Sequence, residues 1–194
     1  QYFWAVTEEV TACEPRIFRT IADGCPGLIY QPSTSGGICT RDGKPWPTLL
    51  LHGQSTQPGE MHTQGPLHLV GACLQPSALI PVFGVPAQDL TDTCVDVQDL
   101  SSALLHERPL LSESALPVQL EQLASLLLAS LGKNQQRAEP GVEDAVTRIL
   151  NSGGQVPLAQ LQRGLGISER SFQRRFKHYV GIPPKLFARI CRFQ

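Results

Sequence analysis

The first 75 residues set the main constraint on the fold, because short runs of β-prone residues alternate there with glycine- and proline-containing turns. The runs are YFWAV (2–6), GLIYQ (27–31), TLLLHG (48–53) and LHLVGACL (67–74), and the turns include TSGG (34–37) and RDGKP (41–45). Closely spaced short strands with such turns are typical of a β-sandwich or a β-barrel. The sequence therefore predicts a β-rich N-terminal domain.

A leucine-rich segment, LPVQLEQLASLLLASL (116–131), predicts a helix. Its leucines recur at three- and four-residue steps and form one stripe, at positions 116, 120, 123, 127 and 131. Leu126 and Leu128 widen this apolar face. The helix can pack within its own domain or pair with its copy in a second chain, and the width of the face favours a homodimer. The polar segment GKNQQRAEPG (132–141) contains glycine and proline and predicts a linker.

The C-terminal residues predict four helices with clear boundaries. The first carries an apolar face formed by Val142, Val146, Ile149 and Leu150. The second begins at Pro157, which is tolerated at the first position of a helix. Ser168 is placed to cap a third helix over 169–180, which ends at Gly181. Pro184 can open the fourth helix.

The net charge of −1 conceals a division between the two ends of the chain. Residues 1–140 contain 7 Lys and Arg and 14 Asp and Glu, a net charge of −7, whereas residues 141–194 contain 9 and 3, a net charge of +6. Such asymmetry indicates that the C-terminal part meets a polyanion.

A helical wheel of residues 169–180 separates the cations from the aromatic rings. At 100° per residue, Arg170, Gln173, Arg174 and Lys177 fall within an arc of about 100°. Phe172, Phe176 and Tyr179 lie on the opposite side, and Arg175 lies on the shoulder, within reach of a phosphate or an acidic neighbour. Two short helices joined by a tight glycine-containing turn, with the second helix basic outside and aromatic inside, describe a helix-turn-helix.

Such a helix fits the major groove of duplex DNA. Arginine pairs with guanine and glutamine with adenine through two hydrogen bonds each, so Arg170, Gln173 and Arg174 are predicted to contact bases. The predicted phosphate contacts are Ser168, Ser171, Arg175 and Lys177. We predict double-stranded DNA as the partner.

The segment LAQLQRGLGISERSFQRRFKHYVGIPPKLFARICRFQ (158–194) closely resembles the first helix-turn-helix of AraC-type (AraC/XylS) bacterial transcriptional regulators. The shared features are a glycine-hydrophobic-serine turn (166–168), the R-x-F-K pattern (174–177) and a G-x-x-P pattern (181–184). In that family, the positions matching Arg170, Gln173 and Arg174 read bases. The family carries two such units joined by a long helix, and residues 184–194 resemble the start of that helix.

The N-terminal part is more weakly similar to the cupin-like sensing domains of that family, through RTIADGCPGLIY (19–30) and LVGACLQPSALIPVFGVPAQDLTD (69–92). The resemblance implies promoter DNA as the partner, together with a small-molecule effector, a homodimer or both, and with no identifiable effector-binding residues. The cysteine usage predicts a cytoplasmic location. We therefore expect an α+β chain with four parts: a β-rich cupin-like domain (1–112), a leucine-rich connecting or dimerisation helix (113–133), a linker (134–141) and the first helix-turn-helix unit (142–194).

The histidines offer a second interpretation, a cupin-like module that binds a metal or a small molecule and uses its basic tail to contact a protein. His52, His62 and His68 are spaced ten and six residues apart, which matches no metal signature, so we predict no metal and no cofactor. The six cysteines form no C-x-x-C pair, which favours reduced, buried thiols. Nucleophile and phosphate-binding motifs are also missing, so we predict that the protein is not an enzyme. No apolar run reaches the ~18 residues that span a bilayer.

Overall fold

Eight strands and six α-helices make up the computed structural model, which describes residues 2–9, 16–32, 36–100, 115–133 and 138–194 apart from the side chains at positions 163 and 164. The strands are β1 (Tyr2–Glu8), β2 (Arg16–Thr20), β3 (Gly27–Tyr30), β4 (Gly37–Cys39), β5 (Leu49–His52), β6 (Gly59–Gln64), β7 (Leu67–Cys73) and β8 (Cys94–Asp96). The helices are α1 (Leu79–Phe83), α2 (Leu116–Lys133), α3 (Pro140–Asn151), α4 (Leu158–Leu165), α5 (Glu169–Val180) and α6 (Pro184–Phe193). The β-rich part thus precedes most of the helices, and the predicted α+β class is confirmed.

The strands form two antiparallel sheets. The larger sheet has the order β1-β7-β3-β5-β8, and the smaller one has the order β2-β6-β4. Because side chains alternate along a strand, the central strands of the larger sheet contribute to two different cores. Leu28, Tyr30 and Leu51 belong to the core on the helix-covered face, whereas Ile29 and Leu50 belong to a second core that also takes in Ile38 of β4, in the smaller sheet.

Helices α1 and α2 cover the face of the larger sheet that carries Leu28 and Tyr30. In α2 the buried residues are Gln119, Leu123, Leu126 and Ser130. This corrects the predicted stripe: Leu131 is 50% exposed, and Leu128 is 70% exposed. The helix therefore packs within its own chain along a face that is rotated from the leucine stripe and includes two polar residues.

Helices α3 to α6 share a separate core. It contains Val142, Val146, Ile149, Leu161, Phe172, Phe176, Val180, Ile182 and Phe187, among others. The carboxylate of Glu139 caps α3 by accepting a hydrogen bond from the Val142 N–H at 2.6 Å. α3 begins at Pro140, within the segment predicted as a linker, and Leu150 is 47% exposed, so its predicted place on the apolar face is wrong.

This helical unit packs against the sheet domain. The Thr91 hydroxyl, which follows a short 3-10 helix (Ala87–Leu90), donates a hydrogen bond to the Gly181 carbonyl at 2.8 Å. Nearby, Gly24 lies against Phe187 and Ile190 of α6. The end of α5 is therefore held to the sheet domain by a hydrogen bond, and α6 packs against the same domain.

Several sequence predictions concern residues that the structure leaves undescribed, including much of the linker and Cys13. Residues 101–114, which include the end of the predicted N-terminal domain and the start of the predicted leucine-rich helix, also lie outside the described residues. Within the described ranges, no helix combines the length and the apolar character needed to cross a bilayer.

Candidate nucleic-acid interface

A three-residue turn, 166–168, separates α4 from α5. Gly166 adopts a left-handed conformation with φ of 62°, which glycine reaches without the steric cost that a Cβ brings. Ser168 then caps α5, because its hydroxyl accepts a hydrogen bond from the Ser171 N–H at 3.2 Å. The predicted cap and the predicted bounds of α5, Glu169–Val180, are both confirmed.

The inner side of α5 is aromatic. Phe176 is fully buried, and its ring lies 5.8 Å from the rings of both Phe172 and Phe187, measured between centroids. Tyr179 is half-buried at the edge of the same core. Since an aromatic ring buries a large apolar area, these contacts fix the rotation of α5 about its axis.

The outer side of α5 carries the predicted base-contacting residues. Arg170, Gln173 and Arg174 are all exposed, and so is Lys177. The wheel therefore placed both sides of the helix correctly. In this state the Gln173 side-chain amide donates a hydrogen bond to the Glu169 carboxylate at 2.9 Å, so an incoming adenine would have to displace that bond.

The remaining predicted phosphate contacts differ in their availability. The Arg175 guanidinium forms an ion pair with Glu139, with 3.3 Å between Nη1 and Oε1. This agrees with the alternative that Arg175 reaches an acidic neighbour. Lys177 is exposed as well. Ser168 is exposed, while Ser171 is half-buried.

A groove of about 340 Å³ runs beside α5, between the start of α4 and the start of α6. Its lining includes Gln162, Gln173 and Lys185. Sequence analysis did not single out Lys185, although its place directly after the Pro183-Pro184 start of α6 puts a cation at a fixed helix end. It adds an exposed positive charge next to the outer side of α5.

The histidines considered as metal ligands lie apart from one another. His52 is in the larger sheet on β5, His62 is in the smaller sheet on β6, and His68 on β7 is 2.8 Å from the Gln119 side-chain oxygen. Among the residues that the structure describes, no group of three or more His, Cys, Asp or Glu side chains is arranged to hold a metal ion.

The sheet domain contains a cleft of about 530 Å³ at the turn-rich end of the smaller sheet. Gln31, Ile38, Trp46 and Gln64 are part of its lining. The Gln31 side chain is held rigidly, because its nitrogen donates to the Trp46 carbonyl at 2.8 Å and its oxygen accepts from the Ile38 N–H at 2.7 Å. The cleft has the size of a small-molecule pocket.

The architecture is that of an α+β protein in which a two-sheet domain precedes a helical unit. Residues 1–96 match the sequence model of a family described as a domain of unknown function (DUF6597). The match covers all eight strands and assigns no activity to them. No curated protein and no solved structure matches the chain.

Proposed function

We propose that the protein is a sequence-specific DNA-binding transcriptional regulator in which α4 and α5 form the first helix-turn-helix of an AraC-type DNA-binding domain. One observation carries the proposal. Phe172 and Phe176 pack α5 against its core, and the opposite side of the helix is exposed to solvent. Arg170, Gln173 and Arg174 project from that exposed side. A rigid helix with a free guanidinium- and amide-bearing side is what base readout in the major groove requires.

In this binding mode one set of side chains contacts bases and another contacts phosphates. Arg170, Gln173 and Arg174 lie in the first half of α5, where a recognition helix meets base edges. Lys177 lies one turn further on and meets the phosphate backbone, together with Ser168 at the N-terminus of the helix. The net charge of +6 on residues 141–194 strengthens association with DNA at low salt.

The N-terminal domain supplies sensing or dimerisation in this proposal. It corresponds in position to the cupin-like sensing domain of AraC-type regulators, and it has a cleft of about 530 Å³ that a small effector would fill. The exposed Leu128 and Leu131 of α2 give a homodimer an apolar contact surface. A cytoplasmic location follows from promoter DNA as the partner.

The test compares Arg174→Ala with Lys177→Ala in binding to duplex DNA across a salt series, using the full chain. Arg174→Ala should lower the discrimination between the preferred site and a site with one changed base pair by about 1–3 kcal/mol. Lys177→Ala should weaken binding to every duplex alike and reduce the slope of log K against log salt by about 0.9, since one phosphate contact is lost.

Arg148→Ala is the matched control, because it removes one positive charge from α3, where Arg148 pairs with Asp144. It should change binding little. If Arg174→Ala and Lys177→Ala both bind all duplexes as the parent does, α5 is not the reading helix. A parent that binds no duplex but binds a small molecule or a metal would instead support the alternative of a cupin-like module whose basic tail contacts a protein.

A further inference from the structure

One row of directly paired residues crosses the larger sheet from edge to edge and contains several side chains that can ionise. Directly paired residues in antiparallel strands share a face, and the pairing Tyr2–Cys73–Gly27–His52–Cys94 runs through all five strands. Cys94 packs against the core between the sheets, which identifies the face on which the row lies. A tyrosine, a histidine and two cysteines are thus aligned on one side of the sheet.

Gly27 leaves a gap in the middle of this row, and His52 occupies it. A Cβ at position 27 would lie 2.8 Å from the His52 Nε2 atom and 2.5 Å from the Ala72 carbonyl oxygen. Because position 27 has no side chain, the imidazole leans across β3 toward the side on which Cys73 lies. Cys73 is therefore flanked by Tyr2 on one side and by the His52 imidazole on the other.

Cys25 completes a pair of thiols with Cys73. It lies two residues before Gly27, and the Leu74 N–H donates to the Pro26 carbonyl at 2.9 Å, which holds the two chain segments together. Tyr2 is the direct partner of Cys73 on β1, so Tyr2 and Cys25 both lie next to Cys73. A hydroxyl or thiol that donates to a neighbouring sulfur stabilises that sulfur as a thiolate.

These neighbours change the pKa values of the two thiols. The hydrogen bond from Cys25, aided by the one from Tyr2, lowers the pKa of Cys73 to about 7, although burial opposes the change. The same hydrogen bond and burial raise the pKa of Cys25. Burial also raises the pKa of Cys94 and of Cys191. Cys73 therefore carries thiolate at neutral pH while Cys25 stays protonated beside it.

We propose that Cys73 and Cys25 form a redox-active dithiol that a hydroperoxide oxidises to a disulfide. The Cys73 thiolate attacks the terminal peroxide oxygen, the O–O bond breaks, and Cys73 becomes a sulfenic acid while the other oxygen leaves as hydroxide (from hydrogen peroxide) or as alkoxide (from an organic hydroperoxide). The Cys25 thiol then attacks the Cys73 sulfur, the S–O bond breaks, and water leaves as the S–S bond forms. The two thiols lose two electrons in total, and the hydroperoxide gains them.

Cys73 is buried, with 8% exposure, so a small oxidant would reach it from the edge of the sheet. There Tyr2 on β1 is 60% exposed, and Cys25 is half-buried. A nucleophilic thiol works best with a pKa near the ambient pH, and a resolving thiol must be within reach. Cys73 and Cys25 meet both conditions, independently of any role in binding DNA.

The test is hydrogen peroxide treatment of the reduced full chain at pH 7, followed by peptide mapping by mass spectrometry without reductant. A disulfide between Cys25 and Cys73 should appear at near-stoichiometric peroxide. In Cys25→Ser, Cys73 should instead be trapped by a sulfenic-acid-specific reagent. Peptides in which Cys25 and Cys73 remain thiols, or in which Cys94 or Cys191 is oxidised first, would overturn the proposal.

Alkylation of the parent protein gives a second measurement that needs no cysteine variant. At pH 7 the Cys73 thiol should react with iodoacetamide about tenfold faster than a thiol of ordinary pKa, because about half of it is ionised. Tyr2→Phe should move the midpoint of the pH–rate curve of Cys73 upward, since one donor is lost. A midpoint near 8.5 or above in the parent, or the same midpoint in both proteins, would contradict the arrangement.

Discussion

At the scale of single residues, the side chains of α5 differ in how far they are already engaged. Gln173 donates to Glu169 within the helix, and Arg175 pairs with Glu139 at the start of α3. Arg175 is exposed and Glu139 is half-buried, so their ion pair contributes little stability and DNA phosphates could compete for Arg175 at small cost. Arg174 and Lys177 are exposed and need no such exchange with a described acidic residue. They are therefore the better residues for separating base readout from phosphate contact.

His52 gives the folded protein a pH dependence of predictable sign. Burial lowers the pKa of its imidazole, outweighing the hydrogen bond to the Gly53 carbonyl and the attraction of Asp23. The unfolded chain therefore binds this proton first, near pH 6.5, and the parent should lose stability relative to His52→Gln as the pH falls below that value.

Urea unfolding of parent and variant from pH 8 to pH 5 measures this difference. The gap in unfolding free energy should stay constant above pH ~7 and change below pH ~6.5. His62→Gln, a substitution in the smaller sheet, serves as the control. A parent and a His52→Gln variant that run parallel over the whole range would show that His52 takes up its proton equally in the folded and unfolded chains.

At the scale of elements, α5 depends on its cap. Replacing Ser168 by Ala removes the hydrogen bond to the Ser171 N–H and should cost about 1 kcal/mol of unfolding free energy. Ser168→Asp should keep the cap and favour the positive end of the helix dipole, so its stability should match that of the parent. The Asp carboxylate would nevertheless repel a DNA phosphate.

Two measurements on these variants separate the cap from the phosphate contact. Urea unfolding should rank Ser168→Ala below the other two proteins, whereas DNA affinity should rank Ser168→Asp lowest. If Ser168→Ala is as stable as the parent, the Ser168 hydroxyl does not stabilise α5. Undiminished DNA binding by Ser168→Asp would place position 168 away from the phosphates.

The two helices that the sequence marks most strongly differ in how well it predicts them. The bounds of α5 were predictable because local chemistry sets them: Ser168 caps the start, and Gly181 and Pro183 prevent continuation. The buried face of α2 was not predictable, because Gln119 turns inward to meet His68, 51 residues away. The order of the strands is equally non-local, since β1 pairs with β7 and only the folded chain brings them together.

The candidate site divides in the same way. The outward orientation of Arg170, Gln173 and Arg174 follows from helical geometry and from the two phenylalanines on the opposite side. It was therefore predictable from the sequence. The ion pair of Arg175 with Glu139 depends on how α3 packs against α5, and the Thr91 contact with Gly181 depends on how the two parts of the chain meet. The dithiol depends on strand register, which the wide spacing of the cysteines conceals.

At the scale of the whole molecule, the sheet domain and the helical unit are joined through the end of α5. Gly181 has φ of 96°, and a Cβ there would lie 3.0 Å from the Ala87 carbonyl oxygen, so the approach of the two parts requires glycine. The Thr91 hydroxyl bonds to the Gly181 carbonyl at the same place. The junction therefore lies at the C-terminal end of the helix proposed to read DNA.

Thr91→Val tests the junction, because it keeps the shape of the side chain and removes the hydroxyl. It should lower the unfolding free energy by about 1 kcal/mol, whereas Thr91→Ser should retain most of the stability.

Both tryptophans, Trp4 and Trp46, lie in the sheet domain, so fluorescence reports on that part of the chain. Circular dichroism at the helical band reports mainly on the helices. In the parent the two transitions should coincide. Separate midpoints in the parent would mean that the two parts unfold independently.

The most direct test of the central claim is a selection of bound fragments from a random duplex library. It compares the parent protein with the triple variant Arg170→Ala, Gln173→Ala, Arg174→Ala. The salt concentration is kept low, at about 50 mM, because a short contact surface binds DNA only weakly at higher salt. The account predicts that the parent enriches a short sequence motif and that the triple variant retains DNA binding but enriches none. A parent that enriches no motif, or a triple variant that enriches the same motif as the parent, would contradict it.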